Sequence, residues 1–161
     1  MDTFQNNRWY SGSGIEVTFE FLVEKVLEKL KSGSKMFIGT DSFVNKDTIT
    51  FASAICIYQP GVEGFYFFTK SKSKKNKFSF LAARITEEVR RTLELADYFY
   101  SNQSVPAASI EIHVDASPFE AKGDTSRFSE MLKGYVTGAG YECRLKPYAW
   151  ASQSVADRHS K

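Results

Sequence analysis

Hydrophobic residues recur at helical spacing in two long stretches of the chain. Between Thr18 and Gly33 the apolar positions lie three or four residues apart, with charged residues between them, which is the pattern of an amphipathic helix. Thr18 is a suitable N-cap and Gly33 is a suitable stop signal. The stretch Ser79–Tyr100 repeats the pattern and predicts the longest helix of the chain.

Short runs rich in β-branched and aromatic residues predict strands around these helices. Three of them follow the first helix, with connections short enough for antiparallel hairpins: Lys35–Phe43, Thr48–Tyr58 and Gly64–Thr69. After the long helix, strands are predicted at Ser109–Val114 and Tyr141–Lys146, and helices at Thr125–Thr137 and Trp150–Arg158. This order predicts a mixed sheet with helices on its faces.

The composition is that of one folded domain. The chain has 161 residues, of which 42% are hydrophobic and 15% aromatic, and this excludes a disordered polypeptide. Residues 1–14, rich in Asn, Ser and Gly, are predicted to be a flexible N-terminal arm, and residues 15–161 a single domain. No apolar run approaches about 18 residues and no signal-peptide pattern is present, so we expect a cytoplasmic protein without membrane contact.

The charge is nearly balanced, with 21 basic and 19 acidic residues and a net charge of +2. This excludes a protein held to nucleic acid by bulk positive charge, so such a contact must be local. One basic cluster precedes the long helix: Lys70, Lys72, Lys74, Lys75 and Lys77. Such a run is often a solvated loop, but the predicted topology places it at the sheet edge where phosphates would meet the acidic residues described next.

Two aspartates end predicted strands that should be parallel neighbours. Asp41 follows the apolar run Met36–Thr40, and Asp115 follows Ile110–Val114. Either residue alone is explained as a turn former. The carboxyl ends of neighbouring parallel strands meet at one edge, however, where α/β sheets bind ligands. We therefore expect the two carboxylates to lie close together.

Two further acids come from predicted helices. A helical wheel places Glu88 on the inner face of the long helix and the adjacent Glu87 on the solvent side. Because an inward carboxylate needs a partner, Glu88 either forms a buried salt bridge or joins the two aspartates. Asp157, in the last predicted helix, is either a surface acid paired with Arg158 or Lys161, or a fourth member of the group.

Clustered carboxylates repel one another unless a cation neutralises them. A set of oxygen ligands favours hard ions such as Mg²⁺ or Mn²⁺. Two such ions, about 4 Å apart, activate water and stabilise the leaving oxygen of a phosphodiester. The residue types and their order therefore fit metal-dependent phosphodiester hydrolysis, provided that the fold brings the four acids together.

Three segments resemble the YkuK-type family, which has a ribonuclease H-like fold. They are Phe37-Ile-Gly-Thr-Asp-Ser42, Ile112-His-Val-Asp-Ala-Ser-Pro118 and the C-terminal stretch Lys146–Lys161. The resemblance covers most of the chain from about residue 15. It implies an α/β fold in which helices flank a mixed five-stranded sheet of three antiparallel and then two parallel strands, with an extra N-terminal helix.

The resemblance also implies a set of site residues. The family's metal-binding carboxylates correspond to Asp41, Glu88, Asp115 and Asp157, which would hold two Mg²⁺ or Mn²⁺ ions. Glu87 stays open as an alternative to Glu88. His159 is a candidate for assisting product release near the metals.

The implied activity is that of a nuclease acting on RNA, RNA–DNA hybrid or DNA. The lysine cluster and Arg158 would contact phosphates, although Arg158 could equally pair with surface acids. Two alternatives remain open, a non-catalytic module that binds nucleic acid or protein and a hydrolase of small phosphoesters.

Overall fold

The structure, a computed structural model, describes residues 3–117 and 126–161, which form a seven-stranded sheet with helices on both faces. The strands are β1 (Trp9–Ser11), β2 (Glu16–Val17), β3 (Lys35–Asn45), β4 (Thr48–Gln59), β5 (Val62–Lys74), β6 (Ile110–His113) and β7 (Glu142–Arg144). The α-helices are α1 (Thr3–Asn6), α2 (Phe19–Lys31), α3 (Leu81–Asn102), α4 (Ser129–Gly138) and α5 (Asp157–Ser160). A π-helical segment, Ala151–Ala156, leads directly into α5, and we call the two together the C-terminal helix.

The strand order is β2-β1-β5-β4-β3-β6-β7. β3, β4 and β5 form an antiparallel meander, and β6 and β7 add in parallel beside β3. The predicted arrangement of three antiparallel and two parallel strands is therefore confirmed. The sheet has seven strands rather than five, because the N-terminal segment contributes β1 and β2.

The segment predicted to be a flexible arm instead packs onto the sheet. Phe4 and Trp9 are buried, Trp9 Nε1 donates a hydrogen bond to the carbonyl of Phe4 at 2.8 Å, and β1 pairs with β5. Two aromatic residues bury enough apolar surface to hold an otherwise polar segment in place. Residues 1–2 of the predicted arm and Thr125, the predicted start of α4, lie outside the described residues.

Helices cover the two faces of the sheet unequally. The back face, lined by residues such as Ile38 and Ile112, packs against α2, α3 and α4 in the main core. On the front face, Ala54 and Cys56 pack against the C-terminal helix. Within residues 3–117 and 126–161, none of the helices is long and apolar enough to cross a membrane.

The C-terminal helix approaches β3 closely because of Gly39. A Cβ atom at this position would lie 2.5 Å from the backbone nitrogen of Ser152, which is nearer than atoms can pack. Glycine therefore allows the helix backbone to rest on the strand.

The meander is longer than the sequence predicts. β3 continues to Asn45, and β5 continues to Lys74 because its last residues pair with the start of β4, from Lys70↔Ala52 to Lys74↔Thr48. We call this part, residues 41–45, 48–52 and 70–74, the hairpin extension. The prediction of a lysine-rich loop was therefore wrong for Lys70, Lys72 and Lys74, which lie in a strand. Only Lys75 and Lys77 lie in the following 3₁₀ turn, Lys75–Phe78.

Candidate carboxylate site

Asp41 lies inside β3 and not at its end, contrary to the sequence prediction, because β4 pairs with β3 as far as Asn45. The parallel partner β6 pairs with β3 only as far as Gly39↔His113. Asp41 and Asp115 each follow that last pair by two residues, so they stand at the same level of the sheet. The expected proximity of the two aspartates arises from this register.

The environment of Asp41 opposes its ionisation. Its side chain is buried, with 7% of the residue exposed, and Ser160 Oγ donates a hydrogen bond to Oδ2 at 3.1 Å. Burial, followed by the nearby carboxyls of Asp115 and Asp157, raises the pKa of Asp41 to about 8. At neutral pH the metal-free site therefore keeps a proton on this residue.

Lysines neutralise the two other aspartates. Lys161 Nζ lies 3.0 Å from Asp157 Oδ1, and this hydrogen-bonded partner lowers the pKa of Asp157 although burial acts in the opposite direction. Lys146 Nζ lies 2.9 Å from Asp115 Oδ1, although that buried oxygen accepts no well-aligned hydrogen bond from the described residues. Asp115 thus has an ion-pair partner and an oxygen with capacity for a further ligand.

Glu88 reaches the same site from α3. It is 6% exposed, accepts a hydrogen bond from Ser42 Oγ at 2.5 Å, and lines one narrow crevice together with Asp115. Burial and then the charge of Asp41 raise the pKa of Glu88 well above its ordinary value. Among the described residues Glu88 forms no ion pair, so the alternative of a buried salt bridge is wrong.

Glu87 has a different environment from its neighbour. It pairs with Arg90 and Arg91 at 2.7–2.8 Å, and hydrogen bonds from both arginines lower its pKa despite burial. The prediction of a solvent-facing Glu87 was wrong, since only 12% of its side chain is exposed. The geometry favours Glu88 over Glu87 as the helix acid of the site.

His113 holds the start of the C-terminal helix against the sheet. Its Nδ1 accepts a hydrogen bond from the backbone N–H of Ala151 at 2.9 Å, and its Nε2 lies 2.6 Å from Glu111 Oε2. Accepting at Nδ1 requires an unprotonated nitrogen, and burial correspondingly lowers the pKa of His113. His113 is therefore a buried, hydrogen-bonded histidine that positions the helix.

His159 contacts two aromatic side chains of β5. Its ring stacks on Phe68 with centroids 3.6 Å apart, and its Nε2 lies 2.9 Å from the hydroxyl of Tyr66. A role for His159 in product release stays a prediction. Arg158 is exposed on α5.

The basic cluster lies beside the acids. Lys70 pairs with Ala52, which pairs with Asp41, so the three residues lie at one level on the front face. Two strand spacings separate Lys70 from Asp41, about 10 Å between Cα atoms. All five lysines of the cluster are exposed.

The donor set suits a hard divalent cation, but the metal-free side chains are held by other partners. In residues 3–117 and 126–161, no three His, Cys, Asp or Glu side chains form a ready-made metal-binding group. Lys146 and Lys161 neutralise two of the carboxylates, Asp41 keeps a proton, and two serine hydroxyls donate hydrogen bonds to Glu88 and Asp41. Two of these carboxyls, Asp41 and Glu88, have raised pKa values in the absence of a cation. Such oxygen donors fit Mg²⁺ or Mn²⁺, which would replace the proton and the lysine charges.

Sequence reasoning missed two residues of this site, Lys146 and Ser160. Lys146 contacts Asp115 only because the chain runs alongside the end of β6, where its backbone N–H donates to the carbonyl of Ala116. For Ser160 a local signal exists, since it follows Asp157 by one helical turn and so shares its helix face.

Comparison with known proteins agrees with this fold. The chain is 24% identical to the uncharacterised protein YkuK of Bacillus subtilis (strain 168) over an alignment of 170 residues, which covers 95% of this chain and 96% of that protein. The model of a family described as Ribonuclease H-like matches residues 18–161, which is most of the chain. The protein therefore belongs to the ribonuclease H-like family.

Proposed function

We propose that this protein hydrolyses phosphodiester bonds of nucleic acid at its four carboxylates, with two Mg²⁺ or Mn²⁺ ions as cofactors. One observation carries the proposal. Asp41 on β3 is buried beside the carboxyls of Asp115, after β6, and Asp157, on the C-terminal helix, and burial together with these two neighbours raises its pKa to about 8. An arrangement that disfavours its own charge without a cation is expected of a cation site.

The four acids have different roles in this proposal. Asp41 and Asp115 are the central ligands, and Glu88 and Asp157 complete the site from the two helices. The ions would activate a water molecule and stabilise the leaving oxygen. Ser42 and Ser160 orient Glu88 and Asp41 through their hydrogen bonds. Bound ions would take over the neutralisation of Asp115 and Asp157 that Lys146 and Lys161 now provide.

The direct test is cleavage of a labelled panel of single-stranded RNA, single-stranded DNA, RNA–DNA hybrid and duplex DNA. Each substrate is incubated with EDTA, Mg²⁺ or Mn²⁺. We expect cleavage only with metal, and loss of cleavage in Asp41→Asn. The matched control is Asp47→Asn, an exposed aspartate outside the site, which should cleave like the wild type. Cleavage by Asp41→Asn at the wild-type rate would contradict the mechanism.

A second candidate is a non-catalytic binding module. The observation in its favour is that Lys146 and Lys161 already neutralise two of the four acids. In that case the lysines are permanent partners of the carboxylates, and the protein binds nucleic acid without an ion. Thermal denaturation with and without Mn²⁺ separates the two candidates, because an ion that binds the folded state raises Tm by mass action.

A further inference from the structure

The exposed face of the hairpin extension carries a straight row of lysines. Lys70, Lys72 and Lys74 alternate with Ser71 and Ser73 along β5, so their side chains project from the front face at intervals of about 7 Å. This interval is comparable with the spacing of phosphates along an extended nucleic-acid strand. The Lys70 end of the row is level with Asp41.

The charges of this row are free to bind a ligand. Among the described residues, none of the three lysines forms an ion pair. On the other side of the carboxylates the cations are already paired, since Lys35 and Arg144 contact Glu111 and Glu142, and Lys146 contacts Asp115. The front face thus presents an uncompensated basic row of three lysines, which is enough for one phosphate backbone.

An aromatic side chain lies on the same face. Phe43 is 39% exposed, and it pairs with Thr50, which pairs with Lys72. Phe43 and Lys72 are therefore about 10 Å apart across two strand spacings. A basic track beside an exposed ring is the arrangement that binds single strands, because any base can stack on the ring while the lysines follow the backbone.

From these observations we infer that the front face of the hairpin extension binds one single strand of nucleic acid, with successive phosphates on Lys74, Lys72 and Lys70 and a base on Phe43. This inference rests on the proposed function, and it adds that the strand enters the carboxylate site from the Lys70 end. Both RNA and DNA strands have the required chemistry. A duplex would need a second basic row for its other backbone.

The row also has a structural explanation. β1 pairs with β5 only at Phe67–Thr69, so residues 70–74 form an edge strand, and lysines protect such edges from pairing with other chains. That role predicts self-association when the lysines are removed, with no change in binding by the remaining monomer.

Fluorescence anisotropy on the Asp41→Asn protein in EDTA tests the inference without cleavage or metal binding. The probes are labelled single-stranded RNA, single-stranded DNA and a duplex of the same sequence, each titrated at several salt concentrations. The test variant replaces the three lysines of the row: Lys70→Gln, Lys72→Gln and Lys74→Gln. The matched control replaces three lysines of α2, behind the back face: Lys25→Gln, Lys29→Gln and Lys31→Gln. Size-exclusion chromatography and circular dichroism show that each variant is monomeric and folded.

Three phosphate contacts predict a slope of about −2 in log affinity against log salt, so single-strand affinity falls about 20-fold between about 50 and 200 mM salt. The row variant should bind at least about tenfold more weakly at low salt and lose most of this slope, because each lysine accounts for about one unit of phosphate charge. The α2 variant should keep both the wild-type affinity at low salt and the wild-type salt slope. Phe43→Ala should weaken binding about fivefold or more without changing the slope.

Equal affinity for duplex and single strand, or a folded monomeric row variant that binds with the wild-type slope, would overturn the inference. The two proposals fail separately. If binding follows the row but no polymer is cleaved with Mg²⁺ or Mn²⁺, the hydrolysis is wrong and the strand-binding face stands. If cleavage occurs and the row variant binds and cleaves like the wild type, the strand-binding face is wrong and the hydrolysis stands.

Discussion

Glu87 and Glu88 are adjacent in α3 and have opposite chemical environments. Glu87 is ionised between two arginines, whereas Glu88 is buried near Asp41 and Asp115, with a pKa far above its ordinary value. Burial therefore disfavours the charged form of Glu88 in the metal-free protein, and glutamine is similar to it in size and polarity. We expect the charge of Glu88 to matter most when a cation is bound.

Glu88→Gln should therefore lower metal-dependent cleavage by about 10–100-fold while leaving Tm in EDTA unchanged or higher. Glu87→Gln is the matched control, and it should keep cleavage but lose its two ion pairs. A resulting loss of about 1 kcal/mol in the free energy of unfolding would lower Tm by about 2–4 °C. Cleavage rates and melting curves of both variants check this. The reverse pattern would assign the site to Glu87.

The raised pKa of Asp41 makes the stability of the metal-free protein depend on pH. The folded state holds this proton up to about pH 8, whereas the unfolded chain releases it near the ordinary value of 3.8. Between these values the folded state binds more protons, so its stability falls as pH rises and levels off above about pH 8.

Asp41→Asn removes this penalty. In EDTA at pH 8 the variant should be more stable than the wild type by at least about 1 kcal/mol, or about 2–4 °C in Tm. The difference should shrink toward pH 4, where both side chains are neutral. Thermal denaturation at a series of pH values measures this difference in stability. Parallel curves of Tm against pH for the two proteins would show that Asp41 ionises normally.

At the scale of elements, the C-terminal helix is positioned by two contacts with the sheet. Gly39 allows the helix backbone to lie against β3, and His113 accepts the N–H of Ala151. Asp157 and Ser160 reach Asp41 only because the helix lies there. The geometry of the site therefore depends on residues that take no part in its chemistry.

Gly39→Ala should push the helix away from β3, because the new methyl group meets the backbone of Ala151 and Ser152 within 2.5–2.8 Å. We expect a loss of about 1–3 kcal/mol and weaker Mn²⁺ binding, since Asp157 moves with the helix. Gly134→Ala in α4, where the added carbon meets no atom of the described residues within 4 Å beyond its own stretch of helix, should instead stabilise the protein by up to about 1 kcal/mol. Equal Tm values for the two variants would contradict the role of Gly39.

Elements with a strong local signal were predictable from the sequence, and elements made by pairing were not. Thr18 caps α2 as expected, accepting the N–H of Phe21 at 3.0 Å. The strands β1 and β2 have only three and two residues, too few to show a periodic pattern. The last part of β5, which carries Lys70, Lys72 and Lys74, resembles a loop in sequence. It is a strand because it pairs with β4, and the local sequence pattern carries no information about that pairing.

The same division holds for the site. Strand neighbours predicted the meeting of Asp41 and Asp115, and the helical wheel selected Glu88. The ion pair of Lys146 with Asp115 depends on how the chain crosses the end of β6, and the hydrogen bond from Ser160 to Asp41 depends on how the C-terminal helix lies on the sheet. These are tertiary arrangements that spacing along the chain does not encode.

At the scale of the whole molecule, the net charge of +2 conceals a separation of charge. Four acids gather where β6 ends, and an uncompensated basic row extends from them along β5. A nearly neutral protein can in this way offer a local site for a polyanion and for cations side by side. The account predicts that the cations bind where a proton and two lysines now neutralise the acids.

Isothermal titration of Mn²⁺ at pH 7, in buffers of different ionisation enthalpy, tests this central claim most directly. We predict binding of two ions with release of protons, to which Asp41 contributes close to one because its pKa in the metal-free protein is about 8. Asp41→Asn should lose this contribution to the proton release and most of the affinity, while Asp47→Asn should bind like the wild type. Absence of Mn²⁺ binding, or binding that Asp41→Asn leaves unchanged, would contradict the claim that the four carboxylates form a metal site.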